Sequence, residues 1–155
     1  MLYLLSGLPG SGKTTYAKQL EAAGAVRISV DEMMIESVGR LGVDYDHSDH
    51  VRLLEPVVAT AKDQTIERLA AGLDVVFDHG LGRRFERDEF KQLALAEGAE
   101  WTLLCFDARL STLRARCKRR SDLPGTVPIS DEVLDHLAAI WERPSGEGET
   151  VVMTG

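Results

Sequence analysis

The sequence predicts an α/β protein, a parallel sheet with helices on both faces. Three observations lead there. Short apolar runs alternate along the chain with stretches of helical periodicity, the pattern of strand–helix–strand units. The first run, Leu2-Tyr3-Leu4-Leu5, ends in a glycine-rich turn that opens a helix. The chemically suggestive segments that follow begin at strand ends, where ligands collect in open α/β sheets.

The elements follow in order. Leu2–Ser6 is short, apolar and closed by glycine, as a buried parallel strand is. Thr14–Ala23 reads as a helix stopped by Gly24, and Val26–Val30 as a second strand. Asp31 is a candidate cap for a short helix through Ser37, because a carboxylate suits the free amides there. Residues 38–49 are polar and glycine-containing, hence a loop. From His50 to Ala71, Val51, Leu54, Val58, Ala61, Thr65 and Leu69 keep helical spacing, with Pro56 kinking the helix or lying in its first turn. Leu73–Phe77 is a third strand, and a helix from Arg84 to Glu97 stops at Gly98. Glu100–Phe106 is a fourth strand and Leu110–Arg120 a basic helix. Ser121–Ile129 holds Pro124, Gly125 and Pro128 and reads as loop. Ser130 caps a last helix whose apolar face carries Val133, Leu137, Ile140 and Trp141, and Val151-Val152 reads as a short final strand.

A chain of 155 residues without repeat, linker or low-complexity tract predicts one domain over 1–155. No apolar stretch approaches the roughly 20 residues of a membrane helix. The N-terminal MLYLLSG lacks the basic region and cleavage site of a signal peptide, and Cys105 and Cys117 form no disulfide framework or metal spacing. A reducing cytoplasm is the expected location. The net charge of −7 argues against a broad nucleic-acid footprint, although ten of the 18 Lys and Arg cluster between Arg83 and Arg120.

The turn Gly7-Leu8-Pro9-Gly10-Ser11-Gly12-Lys13-Thr14 matches G-x-x-x-x-G-K-[ST] between a strand and a helix. Glycines let the backbone wrap closely around oxygens, and successive amides with the helix dipole stabilise negative charge. Lys13 reaches β- and γ-phosphates in such a loop, and the Thr14 hydroxyl ligates Mg²⁺. A nucleoside triphosphate is therefore the expected ligand. Asp31 follows the second strand and is placed to orient an alcohol and accept its proton. Asp78 follows the third strand, Val75-Val76-Phe77, where a carboxylate holds Mg²⁺ directly or through water. Either aspartate can serve as the base. Each also has a plainer reading, a helix cap for Asp31 and a turn residue for Asp78.

Arg116 and Arg120 are four residues apart on one helix face and are candidates to neutralise charge on a transferred phosphoryl group; a solvated basic face is the alternative. Arg83, Arg84 and Arg87 are candidates for the acceptor side. The acidic loop 42–50 places Asp44, Asp46, Ser48 and Glu55 at calcium-loop positions, but Asp49 stands where glycine is needed and Arg52 at the ninth position. It reads as a solvated loop, with an acidic lip facing a neutral or cationic acceptor as the second reading. His79, beside Asp78, reads as a turn residue.

Taken together, G-L-P-G-S-G-K-T-T, I-S-V-D-E, V-V-F-D-H-G-L-G-R-R-F-E-R, R-A-R-C-K-R-R and I-W-E-R-P resemble the small P-loop kinases grouped with chloramphenicol phosphotransferase, zeta toxins and the phage polynucleotide kinase domain. The resemblance covers essentially the whole chain. It implies a three-layer P-loop NTPase fold, a five-stranded parallel sheet in the order 2-3-1-4-5. It also implies ATP and Mg²⁺ as cofactors. By the same resemblance Gly7, Gly10, Ser11, Gly12, Lys13, Thr14 and Thr15 hold the nucleotide, and Thr14 and Asp78 the metal. Asp31 is similar in position to the base that deprotonates an acceptor hydroxyl, and Arg116 and Arg120 match arginines flanking a lid over the nucleotide. With Lys13 from the loop they form the candidate catalytic set, and Asp31, Asp78 and Arg84 are the candidates facing the substrate. His-Gly-Leu-Gly after Asp78 departs from the Thr-Asn of polynucleotide kinases, and the chain has no asparagine, so nucleic acid is disfavoured as the acceptor. The expected activity is an ATP-dependent kinase for a small-molecule hydroxyl, such as an antibiotic or metabolite. The alternatives are a nucleotide or polynucleotide 5′-hydroxyl kinase, a toxin acting on a sugar nucleotide, and an ATP-binding switch without an acceptor.

Overall fold

The computed structural model describes residues 1–124 and 126–155. Its elements are β1 (Leu2–Ser6), α1 (Lys13–Ala22), β2 (Val26–Ser29), α2 (Val30–Ser37), α3 (His50–Ala70), β3 (Val75–Asp78), α4 (Arg84–Ala96), β4 (Trp101–Asp107), α5 (Leu110–Ser121), α6 (Asp131–Ile140) and β5 (Glu149–Met153). The five strands form one parallel sheet in the order β2-β3-β1-β4-β5. This is the three-layer α/β arrangement and the strand order that the resemblance implies. Element boundaries differ from the sequence reading by at most two residues. Gly125, expected in the 121–129 loop, lies outside the described residues.

Strand alternation builds the layers. Leu2 and Leu4, Val75 and Phe77, and Leu103 point to one face, where they meet Met34, Val57, Ala61, Leu69, Phe90 and Ala94 from α2, α3 and α4. Leu5, Val76, Leu104 and Phe106 point to the other face and pack on Ala17, Tyr16 and Leu20 of α1. Phe77 and Phe90 lie 4.3 Å apart between sheet and α4, each a burial of roughly 1.5–3 kcal/mol. With both faces covered, the strands read as nearly continuous apolar runs.

Several local expectations change. Ser29, not Asp31, caps α2: its hydroxyl accepts from the Glu32 amide at 3.2 Å, and Asp31 lies inside the first turn. Pro56 lies well inside α3, past its first turn. Val51 is 76% exposed, because α3 turns Val57, Ala61, Thr65 and Leu69 inward. In α6 the buried residue is Leu134, whereas Ile140 is exposed. The polar stretch 38–49 is not wholly irregular, since Leu41 bridges Tyr45 and residues His47–Asp49 make one 3₁₀ turn.

A buried ionic clip fixes the far side of the sheet. The Arg87 guanidinium of α4 donates to both Glu147 carboxylate oxygens, at 2.8 and 2.7 Å, and to the Leu81 carbonyl at 3.0 Å. Lys91 donates to the Glu147 carbonyl at 3.0 Å and lies over the Trp101 ring. Arg87, expected on the acceptor side, is instead buried and committed to Glu147, because a guanidinium so deeply buried must find a carboxylate.

Candidate functional site

The loop between β1 and α1 carries three glycines, Gly7, Gly10 and Gly12. Gly10 and Gly12 have φ of 81° and 100°, which side chains disfavour. At Gly7 the requirement is proximity: a Cβ there would stand 2.7 Å from Ser11 Oγ and 2.8 Å from the Phe106 carbonyl. Gly12 caps α1, whose first hydrogen bond from within the helix is Tyr16 N–H to Gly12 O. The amides of Lys13, Thr14 and Thr15 thus have no partner inside the helix and mark its positive end. Ser11 is buried, and Thr15 is exposed on α1.

Lys13 folds back over the loop and donates to the Gly7 and Leu8 carbonyls at 2.8 and 2.9 Å. Its side chain keeps an opening to solvent but is densely surrounded, and burial lowers its pKa to about 8. The Asp31 and Asp78 carboxylates oppose that shift, and the charge of Arg120 adds to it. An anion arriving at the loop would take over the ammonium donors now held by backbone carbonyls. Gly80 completes the wall, since a Cβ there would meet Lys13 Cε at 3.5 Å.

Asp78 lies at the end of β3 and is almost fully buried. Its Oδ1 accepts from the Thr14 hydroxyl at 3.2 Å. Its Oδ2 accepts from Arg27 Nε of β2 at 2.9 Å, and an Arg27 terminal nitrogen stands 2.8 Å from the same oxygen as an ion pair. The other Arg27 terminal nitrogen donates to Glu32 Oε1 at 2.9 Å. Burial opposes the Arg27 charge, but the two carboxylates outweigh it and raise its pKa. Thr14 and Asp78 together offer adjacent hard oxygens, the donor set Mg²⁺ takes when phosphates and water complete its octahedron. Among the described residues no cluster of three or more His, Cys, Asp or Glu forms a metal cage.

Asp31 is exposed on the first turn of α2, and its carboxylate accepts no hydrogen bond among the described residues. Its charge nevertheless reaches the loop and the opposite wall. Burial lowers the pKa of His79 and of His50, and in both cases Asp31 is the largest opposing influence. His50 Nδ1 pairs with the Tyr45 hydroxyl at 2.9 Å, and burial followed by Asp31 raises the pKa of that phenol. His79, expected as a turn residue, thus lies within the field of Lys13, Asp31 and Asp78.

The structure places the remaining candidates as follows. Arg116 donates to the Gly10 carbonyl at 3.1 Å and to the Thr154 carbonyl, while the Thr154 hydroxyl donates to Ser11 O at 2.9 Å. Arg120, one turn further along α5, is exposed. Arg84 is exposed and faces Asp88 at 3.6 Å, and its amide donates to Glu142. Arg83 faces Glu142 at 3.7 Å. A concavity of about 630 Å³ between α2 and α3, lined by Met33, Arg52, Leu53 and Val57, does not include the glycine loop. The chemistry marks the site here, not the depth of the surface.

Sequence reasoning missed Arg27, Thr154 and the fastening role of Trp141-Glu142-Arg143. Trp141 donates to Ser6 Oγ at 3.1 Å, Glu142 accepts from Arg84, and Arg143 donates to Asp107. Arg27 had a signal: it is the one charged residue in a short strand otherwise without charge, and strand order sets that strand beside Asp78.

A family model described as an AAA domain matches residues 2–144. No curated protein sequence is significantly similar to the chain. Among solved structures, a candidate kinase from Chloroflexus aurantiacus J-10-fl superposes with a TM-score of 0.73 at 18% identity, over 99% of this chain and 86% of that one. A gluconokinase from Sinorhizobium meliloti 1021 gives 0.65 at 21% identity, over 97% and 81%. A chain of the Pnkp1/Rnl/Hen1 RNA repair complex gives 0.74 at 21% identity, with 89% of this chain covering 42% of that one. These likenesses establish a shared fold.

Proposed function

The chain belongs to this AAA-domain family, and from that premise we propose that it is an ATP- and Mg²⁺-dependent phosphotransferase acting on a hydroxyl of a small molecule. The observation that carries the reading is the pairing of a phosphate-type loop with a free carboxylate across from it. Lys13, Thr14 and Asp78 gather at the loop, while Asp31 stands unpaired among the described residues with its field on Lys13.

In the proposed reaction the acceptor oxygen attacks the γ-phosphorus, the bond from that phosphorus to the bridging β–γ oxygen breaks, and ADP leaves. Asp31 orients the acceptor hydroxyl and takes its proton. The Asp78 oxygens are engaged by Arg27 and Thr14, which favours Asp31 over Asp78 as the base. Gly7, Gly10, Ser11, Gly12, Lys13, Thr14 and Thr15 hold the phosphates through backbone amides and the ammonium. Mg²⁺, held beside the phosphates by Thr14 and Asp78, would neutralise charge on the β- and γ-oxygens. Arg120 supplies positive charge over the phosphates, and Arg116 shapes the loop through Gly10 O.

The acceptor we assign is a neutral or cationic alcohol. Arg83, Arg84 and Arg87, the cations nearest in sequence to Asp78, each face a carboxylate, Glu142, Asp88 and Glu147 respectively. Arg84 is thus a weaker candidate for substrate contact than Asp31. Two buried free cysteines suit a reducing compartment, so a cytoplasmic location belongs to the same proposal. The test is transfer from γ-labelled ATP to aminoglycosides, chloramphenicol-like alcohols, sugars, nucleosides and oligonucleotides, with the parent protein and Asp31→Asn. Label should reach a small alcohol, and Asp31→Asn should retain ATP affinity while transfer falls about 10²- to 10⁴-fold. Label released only as free phosphate would sink the kinase reading. Label on oligonucleotides alone would overturn the acceptor class.

A further inference from the structure

We propose that Arg27 is a positioning residue that couples the cation side of the site to its acceptor side. The inference rests on the phosphotransfer reading above for its purpose, though its geometry stands independently. Arg27 is a charged side chain only 6% exposed, and Asp78 is 4% exposed. The Arg27 Nε–H donates to Asp78 Oδ2 at 2.9 Å, one terminal nitrogen pairs with the same oxygen at 2.8 Å, and the other donates to Glu32 Oε1 at 2.9 Å.

The register explains why Arg27 arrives there. Ile28 packs in the core on the α2–α4 face, so alternation sends Arg27 to the α1 face, where Val76 and Asp78 also point. On that face Asp78 is one diagonal step away, because Ser29 pairs with Asp78 and Arg27 with Val76.

Two consequences follow. With Oδ2 held by the Arg27 guanidinium, Asp78 presents Oδ1 towards Thr14, and its charge towards an incoming cation is compensated. The second consequence concerns α2. Glu32 is anchored at both ends, its amide on Ser29 Oγ at 3.2 Å and its carboxylate on Arg27. That fixes the first turn, which carries Asp31. A planar guanidinium presents donors on separate edges and so meets two carboxylates with a fixed fork, which a compact ammonium lacks.

The test compares the parent chain with Arg27→Met, Arg27→Lys and Glu32→Gln. Calorimetry with a non-hydrolysable ATP analogue reads the Mg²⁺ concentration that half-saturates analogue binding, and hydrogen exchange reads the amides of residues 31–34. Arg27→Met, which frees and uncompensates Asp78, should need about tenfold less Mg²⁺ and exchange α2 amides about tenfold faster. Glu32→Gln should speed exchange alone, with its Mg²⁺ requirement unchanged. Arg27→Lys should keep the Mg²⁺ requirement within about threefold but still exchange faster. An unchanged Mg²⁺ requirement in Arg27→Met, or an equal shift in Glu32→Gln, would overturn the coupling. If Arg27→Met does not fold by circular dichroism, parent-like exchange in the other two variants overturns it. Neither readout needs turnover, so a parent protein that transfers no phosphate refutes the kinase reading while these measurements still decide Arg27.

Discussion

Glu147→Gln isolates the energetics of the buried clip. Arg87 and Glu147 have side chains 1% and 2% exposed and meet through two bonds of 2.8 and 2.7 Å. The substitution keeps shape and one acceptor but leaves the Arg87 guanidinium without a counter-charge. Lys91 also loses an ion-pair contact at 3.7 Å, but keeps its bond to the Glu147 backbone carbonyl, Asp88 at 3.6 Å and the Trp101 ring. Removing one partner of a buried pair costs about 3–5 kcal/mol, whereas replacing both by apolar groups is often neutral. At about 2–4 °C per kcal/mol for a chain of this size, the midpoint should fall by about 10 °C. Urea and thermal unfolding of the parent, Glu147→Gln and the double variant Arg87→Met/Glu147→Leu measure this directly. A single variant within about 1 kcal/mol of the parent, or a double variant as unstable as the single, would refute the reasoning. The sign with pH is fixed as well. Arg87 hydrogen bonding holds the Glu147 carboxyl below its usual range, against burial. A depressed folded pKa gives stability that is present above the unfolded value and lost as pH falls through the folded one. Acid unfolding of Glu147→Gln should therefore be flatter below about pH 4 than that of the parent.

Two further outcomes follow from the loop. Lys13→Ala removes a charged donor from the phosphate site and should weaken ATP binding about tenfold to a hundredfold, read by calorimetry; unchanged affinity would remove the loop from nucleotide binding. Gly10→Ala forces a side chain into φ 81°, with Cβ 3.3 Å from Cys117 Sγ and from the Leu113 carbonyl. It should cost about 1–2 kcal/mol in urea unfolding from the backbone conformation alone, and parent-like stability would show that the turn tolerates side chains.

Much of this protein is legible within short windows. The glycine loop is contiguous, so its turn, cap and helix start are all written in residues 7–14. The strands announce themselves as apolar runs because both faces of the sheet are covered. Asp78 at the end of β3 and Asp31 just beyond β2 needed only strand-end reasoning. The capping role assigned to Asp31 failed because a serine two residues earlier offered the better-placed oxygen.

What the sequence by itself determined is the alternation of strands and helices, the anion-binding loop and the carboxylates nearest it. Tertiary structure alone decided which charges meet. Arg27 finds Asp78 across 51 residues, Arg87 finds Glu147 across 60, and Arg116 reaches the Gly10 carbonyl across 106. Local periodicity sets the face on which a side chain emerges, but its neighbour depends on strand order and register, which the whole core settles together. A buried charge must then pair with whatever that packing brings within reach. Arg27 and Arg87 share one residue type, yet one ended beside the phosphate loop and the other beneath the sheet for that reason.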